Sequence, residues 1–173
     1  LAASRDGKQF ATGDRDGSIR VWQTSDGQRT HEINGLEHPV YGLAFHPEGV
    51  WLASADRQPK KPRLKLWDYA MGKELRSIDV PQLSAYRRVE DIEWGGIRSI
   101  VFAPDGNTLV ASGANEYSGP ACTLLFDVAT GELKRKFASA LKGFYYSAEF
   151  HSQGFLLTAG GDVGKGEFRA WDS

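Results

Sequence analysis

The 173 residues carry 40% hydrophobic and 25% charged side chains with a formal net charge of −1, the make-up of a globular chain large enough for a sizeable core. No apolar run approaches the roughly 18 residues of a membrane-spanning helix, and near-neutrality removes the global electrostatic case for nucleic acid or an anionic membrane. The one cysteine, Cys122, excludes an internal disulfide framework and a cysteine-based metal site.

In chain order, Arg5-Asp6-Gly7 is a turn, followed by strands expected near 10–13 and 18–22, the second ending in Trp22, and an outer strand near 28–33. The pattern then recurs. Strands are expected near 40–45, 51–55, 63–67 and 74–79, then near 97–102, 108–113, 122–126 and 132–137, and finally near 145–150, 155–160 and 167–171. Period-two runs such as Val40, Leu43, Phe45 and their equivalents Ile97, Ile100, Phe102 and Tyr145, Ala148, Phe150, bounded by glycine and proline, read as strands. The weak helical candidate Leu83 to Glu93 is broken in pattern and follows Pro81.

Three markers keep time. Trp22, Trp67, Phe126 and Trp171 close apolar–polar–apolar runs at intervals of 45, 59 and 45 residues. Gly7, Gly49, Gly106 and Gly154 sit in turn sequences, and Gly27, Gly72 and Gly131 each follow the aromatic by five residues, an offset that suits a bulged hairpin. Such repetition predicts four antiparallel meanders, apolar on both faces, stacked as blades of an all-β propeller. A two-sheet sandwich is the alternative, though it leaves the register of the turns unexplained.

The residues Phe45-His46-Pro47-Glu48-Gly49, Leu52-Ala53-Ser54-Ala55-Asp56, Leu66-Trp67-Asp68, Phe102-Ala103-Pro104-Asp105-Gly106 and Trp171-Asp172 resemble the WD-repeat β-propeller family, and the near-uniform Asp-Gly and Thr-Gly-Glu turns resemble bacterial members. The resemblance implies one partial propeller over 1–173, with blade one at 1–34, blade two at 35–79, an inserted loop at 80–96, blade three at 97–138 and blade four at 139–173. It further implies that the first inner strand has lost its beginning and that the fourth blade lacks its outer strand, as in a segment of a larger ring. In the family a turn Asp, a second-strand Ser or Thr, the Trp and a His form a buried hydrogen-bonded set. The resemblance therefore implies that role for Thr12, Asp16 and Trp22, for Ser54, Asp56 and Trp67, and for Thr158, Asp162 and Trp171. Blade three departs, with Asn115 and Phe126 at these places, and the Gly-His pair is missing: Gly35 is followed by Leu36, and His38 comes two positions late.

Length varies on one rim only: Arg57 to Arg63, Ala114 to Ala121, Gly161 to Glu167 and, above all, Val80 to Gly96. Loops that grow on a fixed scaffold commonly carry binding specificity. The expected partner-binding residues are Tyr86, Arg87, Arg88 and Trp94 in the long connection, Lys60, Lys61 and Tyr117 in neighbouring loops, and Tyr41, Arg98 and Tyr146 where the inner strands open near the channel. The alternative is that Lys60 and Lys61 are solvated turn charges and Trp94 fills a gap under its own loop.

His46 and His151 are equivalent positions on the short-turn rim, suited to capping turns rather than holding a metal. The Asp-Gly turns lack the alternating acids of a calcium loop, and no phosphate loop or nucleophile elbow appears. The expectation is a non-catalytic scaffold without metal or cofactor, binding a protein or peptide and the remaining blades of its ring, with no nucleic acid or membrane partner and the cytoplasm slightly favoured. The alternative is a propeller enzyme, a hydrolase or quinone-dependent dehydrogenase with its site at the central channel; Tyr86, Arg87, Arg88, Glu90, Asp91 and Glu93 cluster acids, bases and a phenol, but the inner-strand ends offer mainly Tyr41, Arg98 and Tyr146 with no carboxylate pair. A nucleic-acid site at Lys60, Lys61, Arg87 and Arg88 is a third reading.

Overall fold

The computed structural model describes residues 1–56, 58, 61–84, 86–87, 92–93, 96–114, 119–162 and 164–172. The first sheet holds β1 (Ala2–Ala3), β2 (Gln9–Gly13), β3 (Ile19–Gln23) and β4 (Arg29–Ile33), and the second β5 (Val40–Phe45), β6 (Leu52–Asp56), β7 (Arg63–Asp68) and β8 (Lys73–Asp79). A 3-10 turn over Pro81–Leu83 and a short antiparallel pair, β9 (Tyr86–Arg87) and β10 (Ile92–Glu93), occupy the long connection. The third sheet holds β11 (Ile97–Phe102), β12 (Thr108–Ala114), β13 (Pro120–Asp127) and β14 (Leu133–Lys142). The fourth holds β15 (Phe144–Phe150), β16 (Phe155–Asp162) and β17 (Lys165–Asp172). Each sheet is an antiparallel meander in sequence order.

The turn glycines act as their sequences predict. Gly7, Gly49, Gly106 and Gly154 have φ between 69° and 93°, and each amide donates to the carbonyl three residues back, at 2.8–2.9 Å. Only a residue without Cβ takes this left-handed position without strain.

Both faces of a blade are apolar, so the core lies in the seams between sheets rather than inside one layer. Sheets one and two bury Ile19, Val21, Ile33, Leu43, Leu52 and Trp67 between them. Sheets two and three enclose Leu64, Ile78, Val80, Leu109, Leu124 and Phe126, with Leu83 of the 3-10 turn closing one end. Sheets three and four bury Val110, Leu125, Phe137, Ala148 and Leu156, with Trp171 packed against them.

Two expectations need correction. The Gly161 to Glu167 segment is not an expanded loop: Gly161 pairs with Gly166 and Asp162 with Lys165, so it is strand almost to its tip. Glycine makes this close approach possible, since a Cβ on Gly161 would stand 2.7 Å from the Lys165 carbonyl, and on the other side of β16 a Cβ on Gly160 would stand 2.1 Å from the Phe144 carbonyl of β15. The outer strand of the third sheet likewise runs on to Lys142, and Gly143 alone separates it from β15.

Candidate binding face at the channel mouth

The third-strand aromatics tie each blade together. The indole N–H of Trp22 donates to Thr12 Oγ1, that of Trp67 to Ser54 Oγ and that of Trp171 to Thr158 Oγ1, each at 2.9 Å. Lys65 Nζ lies 5.3 Å from the Trp67 ring and the Arg169 guanidinium 5.4 Å from that of Trp171. Blade three replaces the whole group together. Phe126 lacks the donor, Ala111 stands where the accepting hydroxyl would be, and Leu124 replaces the cation, all three buried. The Ala111 substitution is legible only once register is known, because Leu109 opposite Phe126 fixes which residue faces the ring.

Two of the acids bond within their own turn or loop. Asp16 is exposed and accepts from the Ser18 amide and hydroxyl, at 3.0 and 2.7 Å. Those bonds, the hydroxyl first, hold its carboxyl below the usual range. Asp56 is buried and accepts from the Arg63 amide at 3.1 Å and the Gln58 amide at 3.3 Å, bracing its loop. Asp162 is exposed at the tip of β16, and Asn115 lies outside the described residues. His38 and Asp56 line one small polar cavity of about 80 Å³ together with Glu37, Arg63 and Lys65.

The inner strands carry the most distinctive geometry. Pairing between β5 and β6 slips between Val40 and Gly42, between β11 and β12 it slips between Ile97 and Ser99, and between β15 and β16 between Tyr145 and Ser147. The residue in each slip is Tyr41, Arg98 or Tyr146. A bulge of this kind re-aims one side chain out of the pleat, and here it recurs at one register position in three successive blades. Tyr41 is 38% and Tyr146 57% exposed, unusual for such large rings. The Arg98 guanidinium lies 4.6 Å from the Phe144 ring and 6.0 Å from that of Tyr41, and Phe144 lies 5.9 Å from Tyr146. Tyr41, Arg98, Phe144 and Tyr146 thus form a row across three blades, held by cation–π and ring contacts. Phe144 was not among the sequence candidates, since no repeat position marks it.

Of the remaining candidates, Lys61 is exposed, and the backbones of Tyr86 and Arg87 pair with Glu93 and Ile92. Lys60, Arg88, Trp94 and Tyr117 lie outside the described residues. The row stands on the rim of the long connections, because Val40 pairs with Asp56 at the start of the β6–β7 loop. At the opposite mouth a cavity of about 700 Å³ is lined by all four inner strands, through Ala3, Phe45, Phe102 and Phe150 among others.

His46 Nδ1 accepts from the Glu48 amide at 3.3 Å and His151 Nδ1 from the Gln153 amide at 3.2 Å, so both cap their own turns. His31 packs edge-on against Tyr69. Cys122 is buried, and that burial raises its thiol to about 11. Among the described residues no helix is long and apolar enough to cross a membrane.

Four meander sheets whose inner strands face one channel define a β-propeller. The family model for the WD domain, G-beta repeat, matches residues 1–23 and 27–68. A Periodic tryptophan protein 2 homolog of Schizosaccharomyces pombe is 30% identical over 147 residues, 79% of this chain and 16% of that protein. Transducin beta-like protein 3 of Bos taurus is 28% identical over 107 residues, 62% of this chain and 12% of that protein. The solved structure of U3-55K superposes with a TM-score of 0.74 at 18% identity, covering 99% of this chain and 47% of that one. The chain belongs to the WD-repeat β-propeller family, and it spans about a sixth or less of the length of these two relatives.

Proposed function

We propose that the chain is a non-catalytic docking module that binds a protein or peptide partner across the loop-rich rim, with Tyr41, Arg98 and Tyr146 as its anchors. The observation behind this reading is the recurrence of one bulge in three inner strands, which exposes Tyr41 and Tyr146 and sets the half-buried Arg98 between the Tyr41 and Phe144 rings. Those are the residue types that dominate binding energy at interfaces. The well-placed carboxylates are engaged inside the scaffold: Asp56 holds loop amides, and Glu167 holds Tyr145, Ser139 and Arg169. That favours docking over catalysis. The test is a randomised peptide library selected on the full chain and then measured against a Y41A/R98A/Y146A variant. The expected result is at least tenfold weaker binding with an unchanged melting temperature. Equal binding by the variant would refute the anchors.

A further inference from the structure

One carboxylate gathers donors from two blades. Glu167 on β17 accepts at Oε1 from the Tyr145 hydroxyl of β15 at 2.6 Å and from the Ser139 hydroxyl of β14 at 2.6 Å. Arg169 completes the set, its Nε 2.9 Å from Oε1 and its Nη2 donating to Oε2 at 3.0 Å. Tyr145 is fully buried, whereas Tyr146, the next residue, is the one turned outward by the bulge. The equivalents of Tyr145 in the other two bulged strands are Val40 and Ile97, whose side chains carry no hydrogen-bonding group. In blade four the buried ring carries a hydroxyl, which donates to a titratable acceptor.

We propose that Glu167 is a positioning residue for the binding row: through Tyr145 it fixes the β15 bulge and so the outward display of Tyr146, and its protonation releases that display. The functional meaning rests on reading Tyr146 as a docking anchor; the mechanical claim stands apart from it. With the carboxylate ionised, Oε1 accepts two hydroxyls and one guanidinium N–H. Protonation converts it to a partial donor and removes the charge that orients Arg169, so the hydroxyls lose their strongest acceptor. Burial pushes the Glu167 carboxyl up, but the hydrogen bonds from Ser139, Tyr145 and Arg169 outweigh it and hold it below the usual glutamate range. Release therefore belongs to acid conditions. Of the described groups around it, β17 itself supplies Arg169, β15 supplies Tyr145, β14 supplies the Ser139 hydroxyl, and β16 places Gly160 opposite and the Thr158 hydroxyl beside that of Tyr145.

Fluorine NMR of the full chain carrying 3-fluorotyrosine, assigned by single Tyr→Phe variants, reads this without any partner. On acidification the Tyr145 and Tyr146 resonances should move together with one midpoint below the ordinary glutamate value, while those of Tyr41 and Tyr69 stay in place. In E167Q that step should vanish from both, and in Y145F it should vanish from Tyr146. Movement of Tyr145 alone, persistence of the step in E167Q, or simultaneous movement of every tyrosine would each overturn the proposal. Should E167Q fail to fold, Y145F decides by the same criterion. Because no peptide is present, failure here leaves the docking proposal untouched, and failure of docking leaves this result standing.

Discussion

Arg76 of β8 donates from Nη1 to the Thr130 carbonyl at 2.8 Å, across the seam into the turn that closes β13 and β14, and its Nη2 reaches the Ala129 carbonyl. Arg135 repeats this one blade on, its Nη1 donating to the Asp172 carbonyl at 2.8 Å. Both arginines follow their blade's aromatic by nine residues, and in blade one that place is His31, packed against Tyr69 of the next blade. The outer strand thus carries a latch to its neighbour at one fixed position. Replacing Arg76 with Met should keep the stem's packing and cost about 1–2 kcal/mol, the worth of charged hydrogen bonds near the surface. Urea melts of the full chain check this, and a loss under about 0.3 kcal/mol would contradict the latch.

The apolar group in blade three makes a non-additive prediction. F126W alone forces a larger ring into a closed site and buries an N–H opposite Ala111, for about 1–3 kcal/mol of destabilisation. A111S alone buries a hydroxyl. Combined, they should recreate the Trp67–Ser54 bond, so the double variant should be at least about 1 kcal/mol more stable than the sum of the singles. A double-mutant cycle measures this, with strict additivity the contrary result.

Two turn glycines separate backbone strain from contact. Gly106 and Gly154 both have positive φ, but a Cβ on Gly106 would stand 2.3 Å from His46 Nε2, whereas one on Gly154 meets nothing within 4 Å. Alanine at either should cost about 1–2 kcal/mol for the left-handed backbone, with G106A clearly the worse. Adding H46A should narrow the gap. Thermal melts of the four variants decide it.

How much of this was legible in the sequence follows from where repetition ends. The strands, the turn glycines and the aromatics recur, so their positions could be read within a residue or two, apart from the outer strand of the third sheet, which runs five residues past its expected end, and Thr158 accepts the Trp171 N–H. The hydroxyl-to-indole bonds are a matter of register, not of sequence offset. The bulges are marked in the sequence by steps of three, Val40 to Leu43, Ile97 to Ile100 and Tyr145 to Ala148, where strict alternation gives two; a reading by period two alone passes over them. The β16–β17 strand extension was misread because four glycines within 160–166 look like a loop, yet Gly160 and Gly161 let β16 close up on β15 and β17, and Gly164 takes positive φ at the tip. Phe144 and Glu167 repeat nowhere, and only the three-dimensional seam brings them into view.

The seam between sheets three and four should have a stability window with opposite limbs. The Glu167 carboxyl is depressed in the fold, so its contribution is present above the ordinary glutamate value and lost as pH falls through the folded one. The Tyr145 hydroxyl is raised, chiefly by burial and further by Glu167, so its contribution is present below the ordinary tyrosine value and lost as pH rises through the folded one. Melting temperature against pH should flatten on the acid limb in E167Q and on the alkaline limb in Y145F. Unchanged limbs would contradict the assignment.

Cys122 should resist alkylation. A thiol raised to about 11 by burial offers almost no thiolate at neutral pH, so iodoacetamide should label it only as fast as the fold opens. Mass spectrometry reads the rate, and labelling as quick as in urea would show the thiol to be accessible.

The docking face itself is tested most directly by placing the photo-reactive p-benzoylphenylalanine singly at Tyr41, Arg98 or Tyr146, and at Ser152 on the opposite mouth, and irradiating each with a library-selected peptide. Adducts at the first three positions and none at Ser152 are the predicted result. Adducts at Ser152 with none on the bulged row would place the partner on the other face and contradict the account.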